Sequence, residues 1–180
     1  MRGDREVVLV RHAKALSRSD WDGPDRQRPL SRKGQAQARG VADALSAGPP
    51  IGCVVSSPAV RCTETVRPLA EAAGTRLTED AALGEASAVG TTDAGDPWVL
   101  AAWLAGSALG AIDRAAANVG PGVRVVAATH GDVLPALLAC LAGRDGVRVP
   151  DVHTPKGGWW VLKIGGGCLY AATAFEPRTA

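Results

Sequence analysis

Three short apolar runs, Val7-Val8-Leu9-Val10, Cys53-Val54-Val55 and residues 123–128, do most to limit what this chain can fold into. They are rich in β-branched residues and lack the polar alternation of a half-exposed strand. Such runs belong to strands covered on both faces. Helical segments separate them. Ser31 can cap a helix running to about residue 47, apolar at Ala36, Val41, Ala44 and Leu45 and stopped by Gly48-Pro49-Pro50. Ser57-Pro58 reads as a second helix start, Ser at the cap and Pro in the first turn, with Gly74 ending it. Asp96-Pro97 opens a third helix to about residue 118, apolar at Trp98, Leu100, Ala101, Trp103 and Leu104. Residues 132–142 make a fourth.

Residues 76–79 form a weak strand, and residues 13–30, 80–95 and 143–157 are loops. Residues 159–164 and 168–173, joined by Gly165-Gly166-Gly167, make a terminal hairpin. Strands alternating with helices predict an α/β fold. The expected architecture is a three-layer α/β/α sandwich around a mostly parallel mixed sheet, with a C-terminal antiparallel hairpin. No repeat, linker or low-complexity stretch divides residues 1–180, so a single domain is expected.

Composition excludes more than it selects. A formal net charge of +2 gives no ground for expecting a nucleic acid polymer or a membrane as partner. The charge is nevertheless uneven. Residues 1–40 hold ten of the twenty Lys and Arg against five acids, which suits an anionic ligand as well as a solvated basic face. Cys53, Cys62, Cys140 and Cys168 have no zinc-like spacing, and Cys53, Cys140 and Cys168 lie in apolar runs that suggest burial. With only His12, His130 and His153 present, no metal or other cofactor is expected. The N-terminus has no apolar leader, and no segment reads as membrane-spanning. A cytoplasmic protein with reduced thiols is the expectation.

Ligands of open α/β sheets bind beyond the carboxyl ends of the strands. Here the first strand ends in Arg11-His12-Ala13-Lys14, the second in Ser56-Ser57-Pro58 with Arg61 three residues on, and the fourth in Thr129-His130-Gly131. Two histidines, two arginines and a helix N-terminus would meet at one sheet edge. Guanidinium forks and helix-terminal N–H groups bind a tetrahedral oxyanion, and a neutral imidazole among them can attack phosphorus.

Val8-Leu9-Val10-Arg11-His12, then Ser56-Ser57-Pro58-x-x-Arg61-x-x-x-Thr65, then Thr129-His130-Gly131, resemble the histidine phosphatase (phosphoglycerate mutase-like) superfamily in order, spacing and strand-end context. Arg28-Pro29-Leu30-Ser31-x-x-Gly34 is similar to the small SixA-like branch. Arg144-Asp145-Gly146-Val147 with Lys156-Gly157-Gly158-x-Trp160-Val161-Leu162 resembles the phosphatase-like domain fused to some MutT-type Nudix hydrolases. The chain itself is expected to lack a Nudix portion, because its first strand begins within ten residues of Met1.

The resemblance implies that His12 is the phosphorylated nucleophile and that Arg11, Arg61 and His130 form the phosphate pocket. His130 is thus a catalytic as well as a binding residue. Glu85, in Leu83-Gly84-Glu85, matches a general acid that many members keep, although Glu79 or Asp80 can also be the donor. Ala13 departs from the family's usual glycine, a change the SixA-like branch tolerates.

Around this centre, Lys14 and Lys156 are candidate substrate contacts or simply solvated lysines. Arg28 can line the pocket or form a structural ion pair, and Trp21 can stack on a ring or pack its own loop. Of Trp159 and Trp160, on opposite strand faces, at least one belongs to the core. The resemblance implies a metal-independent phosphatase whose substrate is a nucleotide or other small phosphorylated metabolite. Alternatives are a SixA-type protein phosphohistidine phosphatase and a non-catalytic phosphate-binding module.

Overall fold

In a computed structural model, which describes residues 4–85, 96–117, 119–149 and 151–178, one six-stranded sheet organises the chain. Its strands are β1 (Arg5–Arg11), β2 (Ile51–Ser56), β3 (Leu77–Glu79), β4 (Arg124–Thr129), β5 (Trp159–Gly165) and β6 (Cys168–Phe175), in the order β3-β2-β4-β1-β5-β6. β1, β2, β3 and β4 are parallel, β5 is antiparallel to β1, and β6 is antiparallel to β5. Only β5 therefore runs against the rest, as the hairpin implied.

Among the described residues, four α-helices cover the sheet: α1 (Arg32–Ser46), α2 (Val60–Ala72), α3 (Pro97–Ala117) and α4 (Val133–Asp145). The unbroken apolar character of β1 now has its cause. Val7 and Leu9 join a core with α3 and α4, while Val8 and Val10 join a second core with α1 and α2. Trp160 and Trp159 divide between the same two cores, so both are buried.

Several expectations shift. α2 starts at Val60 rather than at Ser57-Pro58, with Ala59 at its cap position, and the Ser57 hydroxyl meets His130 Nε2 and the Ala59 N–H. α4 continues to Asp145 and ends on left-handed Gly146, past the expected stop at residue 142. Trp98 and Trp103 face outward, 83% and 41% exposed. The side of α3 that faces the core is Leu104, Ala108, Ala111 and Ile112 instead. α3 is also long and apolar enough, by length and composition, to cross a membrane, contrary to the sequence expectation; here it packs against α4. Cys140 and Cys168 are exposed and Cys53 is half-buried, whereas Cys62 is fully buried. Cys168 opens β6 and Cys140 lies midway along α4 on its outward side, so an apolar neighbourhood in sequence does not guarantee cover. Residues 86–95, the rest of the expected 80–95 loop, lie outside the described residues.

Candidate active site

β1 and β4 pair in parallel with Arg11 opposite Thr129, so the residues that follow each strand emerge side by side. The His12 N–H donates to the Thr129 carbonyl at 2.9 Å, and the His12 and His130 rings stand 5.4 Å apart, edge to face. β2 ends beside them, since the Ser57 N–H donates to the Ala128 carbonyl of β4. Parallel register brings the three motifs to one place.

His12 is almost fully buried. Its Nδ1 lies 2.8 Å from the Ala13 carbonyl. A carbonyl can only accept, so Nδ1 carries the proton and Nε2 keeps its lone pair. Burial, aided by the charges of His130, Arg61 and Arg11, holds the imidazole far below its ordinary pKa, at about 3. It is a neutral base with a free nitrogen. Thr65 braces the next residue: its hydroxyl donates to the Arg61 carbonyl and accepts from the Ala13 N–H.

His130 is held at both nitrogens. Nδ1 lies 3.0 Å from Glu85 Oε1, and Nε2 lies 2.8 Å from the Ser57 hydroxyl. The Glu85 carboxyl is drawn down to about 2, chiefly by the hydrogen bond from His130 and further by Arg61. As the ligand-free site stands, Glu85 is a carboxylate.

The two arginines are built differently. Arg61, 2% exposed, donates from Nη1 to Asp25 (carbonyl at 2.8 Å, Oδ2 at 3.1 Å) and from Nη2 to Glu85 Oε2 at 3.0 Å. Arg11 donates from Nη1 to the Thr154 carbonyl at 2.6 Å and lies against Gly131, where a Cβ would come within 2.5 Å of its guanidinium. A side chain there would have to push the guanidinium aside. The Nε of both arginines is buried without a hydrogen-bond partner among the described residues. Buried donors without acceptors are rare and costly, and two of them on arginines whose charge reaches His12 suit an oxyanion.

A cavity of about 310 Å³ opens next to this centre, lined by Asp25, Arg26, Pro58, Arg61, Glu85 and His130 among others. His12, Glu85 and His130 also bring three possible metal ligands within 4.8 Å of one another. The two adjacent guanidinium groups repel a dication, so the donor set suits an anion better. Cys62 approaches His130 Nε2 at 3.5 Å, but burial pushes its thiol up to about 12 and leaves it unreactive.

His12, Glu85, His130, Arg11 and Arg61 are thus assembled as the sequence suggested. Glu85 sits against Arg61 and His130, while Asp80 pairs with Arg114. Arg28 takes its ion-pair alternative, donating to Asp25 and to the Leu16 carbonyl. Trp21 donates from its indole to the Pro24 carbonyl and packs over Gly23, closing its own turn rather than lining the cavity. Ser57 stands at the site and not at a helix cap. Asp25 escaped the sequence reading altogether, because a loop acid acquires meaning only from the guanidinium that it meets.

Residues 7–93 match the model of the histidine phosphatase superfamily, branch 1. Over 174 residues the chain is 30% identical to an 8-oxo-(d)GTP phosphatase of Mycolicibacterium smegmatis. The alignment takes in 96% of this chain but only 48% of that protein, so the chain spans about half the length of this curated relative. Among solved structures, the SixA protein of Agrobacterium tumefaciens, assigned as a phosphohistidine phosphatase, superposes with a TM-score of 0.66. It is 23% identical, with 94% of this chain and 97% of that one covered. YhfR of Bacillus stearothermophilus superposes with a TM-score of 0.72 at 19% identity, over 92% and 94% of the two chains. A mycobacterial glucosyl-3-phosphoglycerate phosphatase gives 0.65 at 20%, with 98% of this chain and 100% of that one covered. These structures share the fold.

Proposed function

We propose that the chain is a member of the histidine phosphatase superfamily and hydrolyses phosphate monoesters through a phosphohistidine on His12, without a metal. The observation that carries this reading is the neutral His12, whose pKa is lowered by burial and further by the charges of Arg61 and Arg11, while the buried Nε–H groups of both arginines find no acceptor among the described residues. Arg11, Arg61 and His130 hold the phosphoryl oxygens and stabilise the charge that spreads over them in the transition state. His12 Nε2 forms a bond to phosphorus as the bond to the leaving oxygen breaks. Water then attacks phosphorus, the P–N bond breaks, and phosphate departs.

Glu85 serves as the proton donor to the leaving oxygen, and its ionised state in the free site fits that role. A phosphoryl dianion takes over the hydrogen bonds that Arg61 and His130 give to Glu85 and adds a negative charge beside it. Both effects raise the carboxyl pKa, so substrate binding itself protonates the acid. In the second step the carboxylate takes the proton from water.

For the substrate we favour a nucleotide or another small phosphorylated metabolite over a phosphohistidine protein. The 30% identical relative is a nucleotide phosphatase, and the cavity beside His130 can receive a small leaving group. The test is turnover of p-nitrophenyl phosphate, nucleotides, sugar phosphates and a phosphohistidine peptide, with acid-labile phosphate trapped on the protein. Absence of a phosphoenzyme with every substrate turned over would overturn the mechanism. Preference for the peptide would replace the substrate reading.

A further inference from the structure

The loop of residues 16–29 opens and closes at one place: Ala15 bridges Leu30, and the Leu16 N–H donates to the Pro29 carbonyl at 3.0 Å. Most of its bonds are its own. Trp21 donates to the Pro24 carbonyl, Arg28 donates from Nε to Asp25 Oδ1 at 3.0 Å, and Arg28 Nη1 reaches back to the Leu16 carbonyl at 2.6 Å. Among the described residues, a single side chain from elsewhere in the fold hydrogen-bonds to this loop. It is Arg61, whose Nη1 lies 2.8 Å from the Asp25 carbonyl and 3.1 Å from Asp25 Oδ2. A wall of the cavity and the phosphate-binding arginine therefore share one joint.

Arg61 stands in the first turn of α2, and its long side chain is buried. Asp25 takes Nη1 and Glu85 takes Nη2, which leaves the Nε–H as the buried donor without a partner among the described residues. The two acids differ in what else they touch. Glu85 Oε1 also meets His130 Nδ1 at 3.0 Å, so its hold on Arg61 belongs to the group that protonates the leaving oxygen. A carboxylate that yields its hydrogen bonds to a phosphoryl group and then becomes a carboxylic acid cannot keep a guanidinium in position. Asp25 has no hydrogen bond to either histidine among the described residues. Its Oδ1 is paired with Arg28 Nη2 at 2.9 Å, away from the reacting groups. It can remain ionised while Glu85 exchanges its proton. A buried guanidinium deprived of its last carboxylate is strongly unfavourable, and a shift of about 1 Å in a positioned group can cost about a hundredfold in rate.

We propose that Asp25 is a positioning residue for phosphoryl transfer, holding the Arg61 guanidinium in place while Glu85 releases it to bind substrate and donate a proton. This rests on the phosphatase reading above and divides the work of the two acids: one moves a proton, the other fixes a cation. Arg61 steadies charge that spreads over the phosphoryl oxygens in the transition state, so a loosened Arg61 lowers kcat more than it raises KM. Removing the Asp25 carboxylate also takes a negative charge from beside the phosphoryl dianion, which opposes any rise in KM.

A double-variant cycle on p-nitrophenyl phosphate tests this, with kcat and KM measured separately. D25A should lower kcat by about 10- to 100-fold and change KM by less than about threefold. D25N keeps the size of the side chain and an oxygen for Nη1, and should lose less, about three- to tenfold in kcat. In the R61A background, already slow, either change should cost less than about twofold. Melting curves check each fold, and if D25A does not fold, D25N completes the cycle. A kcat near native in the folded variants, a loss confined to KM, or the same loss repeated in R61A would each overturn the proposal. The last result would mean that Asp25 serves the loop and not the arginine. A native protein that hydrolyses no phosphate monoester is a different failure, and it removes the phosphatase reading itself.

Discussion

His12 and His130 follow neighbouring parallel strands at matching register, and both are buried, yet their partners differ in kind. His12 gives its Nδ1 proton to a backbone carbonyl and leaves Nε2 unengaged. His130 meets a carboxylate at one nitrogen and a hydroxyl at the other. A neutral acceptor at Nδ1 suits His12 to be a nucleophile; a carboxylate at the same nitrogen of His130 suits that ring to donate a hydrogen bond, which an incoming oxyanion can take over from Glu85. The same side chain takes two roles because second partners, rather than strand position, set the proton inventory.

Replacing each histidine breaks the comparison most severely. His12→Ala should abolish turnover and phosphoenzyme formation while leaving the fold intact; activity near that of the native protein would end the mechanism. His130→Ala and Arg61→Ala should each lower kcat/KM by about two to four orders of magnitude, the scale of removing preorganised oxyanion contacts. If His130→Ala proves as silent as His12→Ala, with no phosphoenzyme, the two rings do not have separate roles.

Glu85→Gln sharpens the comparison by removing the proton while keeping the shape behind His130. An alkoxide needs that proton and p-nitrophenolate does not, so alkyl phosphates should slow by about two to four orders of magnitude and aryl phosphates far less. An equal loss for both classes would make Glu85 a positioning residue.

Acid stability distinguishes the rings by a smaller effect. His12 has an unfolded value of 6.5 and a folded value of about 3, so in that window the unfolded chain binds more protons than the native one. Stability therefore falls as pH drops from 6.5 towards 3, by at most about 1.4 kcal/mol per pH unit. Glu85, drawn from 4.5 to about 2, adds a loss of the same sign at the acid end. Melting temperatures of His12→Gln should depend less on pH between 6.5 and 4.5 than those of the native protein. Parallel curves would mean that His12 is protonated in the fold.

The smallest effect belongs to Trp21. Its indole closes its own turn, so Trp21→Ala should change relative kcat/KM across a panel of monoesters by less than about threefold. A larger, substrate-selective change would put the loop in contact with the leaving group.

What residue type and spacing alone could express was already readable. The doubly apolar strand of residues 7–10, Ser31 before α1 and the arginine–histidine pair at a strand end follow from periodicity, capping chemistry and the rule for ligand placement on parallel sheets. His12, Arg11, Arg61 and His130 needed only that rule and the order of the motifs. Tertiary structure decided the rest, because hydrogen-bond partners are chosen by distance across loops. Ser57 left the helix cap for His130, and Asp25 and Glu85 took the two arms of Arg61. Gln37, an unremarked helix residue in the sequence, joins the backbones of two loops on either side of it in the chain, at residues 14 and 156. Those pairings determine which nitrogen is free and which acid is ionised.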